Sequence, residues 1–84
     1  MTMSTPRLDL RHLAMIRSIA ETGGVTRAAE ALGVTQSALT HRLREAERRL
    51  GTALFGRVGH RLHLTPAGER LYSTAVFVID DLQR

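Results

Sequence analysis

Apolar positions recur at helical spacing over the first fifty residues and then change period. Leu10, Leu13, Ile16, Ile19 and Ala20 predict a first helix that starts from a cap at Asp9 and runs to about Glu21. Gly23-Gly24 then interrupts it. A short second helix is expected over residues 27–32, with Thr26 as its N-cap and Ala28 and Ala29 small enough for close helix approach. Gly33 closes it, Val34 is set to bury in the turn, and Thr35 caps the next helix.

The third helix is expected over residues 36–50, up to Gly51. On a wheel of about 100° per residue, Leu39, Leu43, Ala46 and Leu50 fall within about 60° of one another. That stripe is the predicted core face. Beside it lie Gln36, Ser37, Thr40, His41, Arg44 and Arg48, a polar face with no large apolar group.

Beyond Gly51, Leu54-Phe55 opens an extended segment, and residues 56–61, with two glycines, read as a hairpin tip. Leu62-His63-Leu64 alternates as an edge strand does. Thr65-Pro66 is a helix start with a capping hydroxyl and proline at the first position. The last helix, expected over residues 67–84, is apolar over a wide arc. Within it Leu71, Ala75, Val78 and Leu82 follow the 4-3-4 spacing of a coiled-coil seam. A wide arc of this kind predicts a dimer interface through these four residues, because a fourth core helix would need only one apolar side.

Composition narrows the class. Eighty-four residues with 43% hydrophobic content and 4% aromatics make one small domain filled by aliphatic side chains. No cysteine is present, which removes disulfides and thiolate metal sites. No stretch reaches the length of a membrane span and no signal-peptide run opens the chain, so a soluble cytoplasmic protein is expected. All twelve basic residues are arginine, and their placement is uneven. Between Thr35 and Thr65 six arginines face only Glu45 and Glu47; the remaining six arginines are matched by six acids. The formal excess of +4 therefore sits in one central segment, the electrostatic footprint of a polyanion-binding face. Arg48 and Arg49 are expected to pair with Glu45 along the helix rather than to contribute to that face.

No nucleophile–base–acid set, phosphate-cradling glycine loop or metal-ligand cluster occurs at a meaningful spacing. His60 and His63 flank a strand with no carboxylate or thiolate beside them, so no metal or cofactor is expected. The order of elements suits another task. Two helices joined by a tight turn hold the second clear of the body, where it fits a major groove. The expected fold is mainly α: a winged helix-turn-helix of three helices and a two-stranded hairpin wing (residues 8–65), a linker and dimerisation helix (66–84), and a flexible arm before them (1–7). Gln36, Ser37, Thr40, His41 and Arg44 are the candidate base readers, since glutamine suits adenine, arginine guanine, and a threonine methyl thymine. Thr26, Arg27 and Thr35 stand near helix N-termini able to hold phosphate. Arg57 and Arg61 on the hairpin suit the backbone or a flanking minor groove. A winged helix that recognises protein, and an architectural DNA binder without sequence preference, remain rival readings.

Four segments together carry a resemblance: Thr26 to Leu32, Thr35 to Thr40, Leu50 to Arg57, and Leu64 to Gly68. In this spacing they are similar to the N-terminal domain of LysR-type bacterial transcriptional regulators, over nearly the whole chain. The run Thr35-Gln36-Ser37-Ala38-Leu39-Thr40-His41 more narrowly resembles the methionine-biosynthesis regulator subgroup. The resemblance implies a winged helix-turn-helix dimer on double-stranded DNA with two-fold related half-sites, a higher oligomer being open to a full-length protein. It also implies a small-molecule effector bound only by a separate C-terminal domain, which this chain lacks. Four positions depart from the family pattern: Gly24-Val25 stands where serine and phenylalanine are frequent, Ser37 in place of proline, and His41 in place of arginine.

Overall fold

A computed structural model describes residues 8–82. In chain order the elements are α1 (Leu10–Thr22), α2 (Val25–Leu32), α3 (Gln36–Leu50), β1 (Phe55–Val58), β2 (Arg61–Leu64) and α4 (Pro66–Leu82). The arm expected over residues 1–7 and the end of the last helix at residues 83–84 lie outside the described residues.

Local chemistry sets the helix boundaries. The Asp9 carboxylate accepts from the backbone N–H groups of Arg11 at 2.9 Å and His12 at 3.2 Å. In return, His12 Nδ1 accepts from the Asp9 N–H at 3.1 Å. This is a reciprocal capping box with histidine in the place usually taken by glutamate or glutamine, and it leaves His12 buried. Gly23 ends α1 at φ 82°, its N–H donating to the Ile19 carbonyl at 2.8 Å. That backbone conformation favours glycine, and the Arg61 guanidinium packs where a side chain would sit.

The second helix corrects one expectation. Thr26 is not an N-cap: α2 begins two residues earlier than predicted, with extended Gly24 as its cap and no side-chain capping bond. Thr26 therefore lies inside the first turn, its hydroxyl free for another partner. Thr35 does cap α3, accepting from the Ala38 N–H at 3.1 Å.

The core gathers on α1. Met15, Ile16 and Ile19 pack with Ala28 and Ala29 of α2, Leu39, Leu43 and Ala46 of α3, Leu54, and Phe55 at the start of β1. The small pair on α2 lets it approach α1 closely, as read from the sequence. Of the predicted stripe on α3, Leu39, Leu43 and Ala46 are buried and Leu50 is half-buried.

The hairpin is tighter than expected. β1 and β2 pair antiparallel, with Phe55 opposite Leu64, Arg57 opposite Leu62 and Val58 opposite Arg61. Only Gly59-His60 forms the turn, and Gly56 and Arg57 belong to the strand; a two-residue connection with positive φ at Gly59 matches the strand twist. Thr65 then does two jobs. Its hydroxyl accepts from the Gly68 N–H at 3.1 Å and donates to the Ala53 carbonyl at 2.7 Å. Gly68 is required here, because a Cβ would overlap the Leu54 carbonyl oxygen.

α4 packs along α1, and the predicted seam divides. Ala75 is fully buried within the subunit and Leu71 packs on the core. Val78 is half-buried, while Phe77 and Leu82 are exposed at 74% and 62%. On the side shared with α1, Arg17 reaches Glu21 and Asp80, both at 3.2 Å, and the Tyr72 hydroxyl donates to Glu21 at 3.0 Å. Donation to Glu21 and Asp80 holds the Arg17 guanidinium above its ordinary pKa. The bond to Glu21, aided by burial, raises that of the Tyr72 phenol.

Candidate nucleic-acid interface

The turn between α2 and α3 presents the third helix. Gly33 leaves α2 in the left-handed region, the Val34 N–H returns to the Ala29 carbonyl at 3.0 Å, and Val34 packs on the core. These contacts fix the angle at which α3 departs. Because its core stripe is narrow, Gln36, Ser37, His41 and Arg44 remain exposed and Thr40 half-buried.

The hairpin closes the opposite wall. The Leu62 N–H donates to the Gly23 carbonyl at 3.0 Å, and Arg61 lies on Gly23, so the wing is tied to the α1–α2 turn. Between wing and α3 runs a concave face of about 660 Å³. Gln36, Thr40 and Arg44 line one wall, Thr26 and Arg27 one end, and Arg57 and Arg61 the other wall. Ser37 and His41 stand on the outer shoulder of α3, sharing a shallow surface with Gln36, Thr40 and Arg44. Thr35 lines neither surface; its hydroxyl is engaged as the helix cap.

The electrostatics of this face are one-sided. Arg27, Arg44, Arg57 and Arg61 form no ion pair among the described residues. Glu47 is the acid that lines the concavity, and its carboxylate accepts from the Leu54 N–H at 2.7 Å, so it serves the fold. Arg48 and Arg49 pair with Glu45 as expected. Burial works to raise the Glu45 pKa, but the two guanidinium groups outweigh it and hold the carboxyl below its ordinary value.

Two features were not legible as site features in the sequence. His60, at the hairpin turn, also lines the concavity; its position in a turn is evident locally, but its direction depends on the tether between Leu62 and Gly23. The other is a bond from the Thr26 hydroxyl to Gln36 Oε1 at 3.1 Å, which joins residues ten positions apart.

This geometry matches a known family. A family model described as "Bacterial regulatory helix-turn-helix protein, lysR family" matches residues 10–69. The chain belongs to that family. Among its relatives, the regulator MetR of Haemophilus influenzae is 43% identical over 68 residues, covering 81% of this chain and 22% of MetR. The small neutral protease regulatory protein of Streptomyces coelicolor is 44% identical over 73 residues, covering 87% of this chain and 23% of the relative. Resemblance to the methionine regulators is thus matched by resemblance to a regulator with another name. The chain spans about a quarter of the length of these LysR-family relatives.

Solved structures agree on the fold. A BenM_DBD/catB site 1 DNA complex superposes with a TM-score of 0.83 at 28% identity, over 90% of this chain and 85% of that one. Oxidised OxyR of Corynebacterium glutamicum gives 0.81 at 32% identity, over 92% of this chain and 25% of that one. The four helices and two-stranded hairpin are those of a LysR-family winged helix-turn-helix. No helix among the described residues is long and apolar enough to cross a membrane.

Proposed function

We propose that this chain is the DNA-reading part of a bacterial transcriptional regulator, binding double-stranded DNA by sequence and without catalysis. α3 enters the major groove, where Gln36, Ser37, Thr40, His41 and Arg44 meet base edges. Arg57 and Arg61 follow the backbone or the flanking minor groove, and Arg27 and the α2 and α3 N-termini meet phosphate. The observation that carries this reading is the concave face itself. It brings hydrogen-bonding side chains of α3 together with four arginines that no acid neutralises among the described residues. A protein-binding winged helix is expected to bury an apolar or mixed face, where this one offers Gln36, Thr40 and Arg44. The structural neighbour solved with catB DNA supports the same reading.

The regulator acts in the cytoplasm as a dimer on two-fold related half-sites, about 34 Å or a multiple apart along the duplex. Residues 8–65 supply the binding domain and residues 66–84 the linker helix through which two copies meet. Phe77, Val78 and Leu82 are apolar positions of that helix that the subunit leaves partly or largely uncovered, whereas Leu71 and Ala75 are covered from within it. Effector control belongs to a part of the regulator outside these residues.

Selection of bound sequences from a random duplex pool tests the function. The expected result is enrichment of a two-fold symmetric motif. Binding without enrichment would replace sequence reading by architectural binding, and no binding at low salt would leave the protein-recognition rival.

A further inference from the structure

The extended backbone at Gly24 starts α2 without any side-chain cap, so the hydroxyl of Thr26 is not spent on the helix terminus. It is spent across the turn. Its Oγ1 donates to Gln36 Oε1 at 3.1 Å, a side-chain hydrogen bond joining α2 to α3. Gln36 is the first residue of α3, next to the Thr35 cap, and both bonded residues are exposed on the concave face. This bond contributes little to burying core, yet it fixes the orientation of an amide that stands where the duplex is expected.

A free glutamine amide presents either its carbonyl or its NH2 to a base by turning its last torsion. With the carbonyl end held by Thr26, the amide N–H groups are the end left for the groove. Purines offer acceptors there: N7 on both adenine and guanine, and O6 on guanine. We propose that Thr26 is a specificity-determining positioning residue, whose hydroxyl pins the Gln36 carbonyl so that the amide N–H donates to purine N7 in the major groove. The inference rests on the reading that α3 meets base edges, and it assigns Thr26 a role distinct from holding phosphate.

The probe is the duplex enriched from the random pool, carrying 7-deazapurine singly at each purine in turn, which replaces the N7 acceptor by C–H. Affinities are measured for the unaltered chain and for Thr26→Ser, Thr26→Val, Gln36→Ala and the Thr26→Val/Gln36→Ala pair, with thermal melts to confirm folding. For the unaltered chain one deaza position should weaken binding about tenfold, the value of one good hydrogen bond. That penalty should vanish in Gln36→Ala, fall to about twofold in Thr26→Val, and persist in Thr26→Ser, which keeps the hydroxyl. The double variant should match Gln36→Ala at that position, the two changes being non-additive.

If Thr26→Val instead weakens every duplex by one factor, leaves the deaza penalty intact and adds fully to Gln36→Ala, Thr26 is a backbone anchor and the inference fails while base reading stands. A Thr26→Val chain indistinguishable from the unaltered one overturns it equally. If Gln36→Ala keeps the full deaza profile, Gln36 reads no base, and both the positioning role and that part of the proposed function fall together.

Discussion

On the α1–α4 side of the molecule, Arg17 is held between Glu21 and Asp80 while Tyr72 donates to the same Glu21. On the α3–hairpin side, Arg27, Arg44, Arg57 and Arg61 border a concavity with no ion-pair partner among the described residues. The residue type is the same and the surroundings are opposite. Arg17 serves the fold, and acids are placed to receive it. Where acids are withheld, self-repulsion among the guanidinium groups is tolerated, and a polyanion is the partner that relieves it. The distinction is finer than net charge, since α1 and α4 carry Arg11, Arg17 and Arg70.

The largest expected effect concerns the exposed apolar residues of α4 on the structural side. Phe77→Glu with Leu82→Glu alters two exposed side chains and should convert a sedimenting dimer to monomer while the thermal melt stays close to that of the unaltered chain. A persistent dimer would move the interface off α4. Next, Ile19→Ala opens the fully buried core shared by the two sides and should cost about 2–5 kcal/mol in denaturant unfolding. Both sides should be lost in one transition; loss of α4 packing alone would show that they fold separately.

A smaller pair of effects separates the two sides by readout. Gln36→Ala should cost about 1–3 kcal/mol of binding on the preferred duplex with stability unchanged. Tyr72→Phe should do the reverse, lowering stability by about 0.5–1 kcal/mol with DNA affinity intact. The smallest effect lies at the start of α1. Donation from Arg11 chiefly, with help from the His12 backbone N–H, lowers the Asp9 pKa from 3.8 to about 2. A carboxyl depressed on folding stabilises above its unfolded value and loses that contribution as pH falls through its folded one. Between pH 3.8 and about 2, the melting temperature of the unaltered chain should therefore drop further than that of Asp9→Asn, which keeps a capping acceptor but does not titrate.

Much of this organisation was written locally. Gly23, Gly33 and Gly51 end the first three helices as read from the sequence, and Thr35 and Thr65 cap the third and fourth helices. Each of those assignments depends on residues within a single turn. What escaped depends on distant partners. Thr26 looked like a cap because a hydroxyl precedes a helical stretch, but Gly24 takes the cap and Gln36 takes the hydroxyl. Arg61 looked like a free wing residue, whereas Gly23, thirty-eight positions earlier, receives its guanidinium. On α4 the 4-3-4 spacing identified an apolar seam without saying whose surface would cover it. Ala75 is covered by the subunit itself, and Phe77, about 200° around the helix, faces away. Heptad spacing describes a stripe on one helix and is silent on whether its partner is the same chain or another.

The arginines that border the concavity, and not arginine in general, are assigned to the duplex. The direct measurement is the dependence of log affinity on log salt concentration for one duplex of fixed sequence. Arg27→Ala with Arg57→Ala should reduce the slope by about two units relative to the unaltered chain, and Arg17→Ala should leave it unchanged. An unchanged slope in the double variant, or an equal fall on removing Arg17, would contradict the assignment of the concave face as the DNA-binding surface.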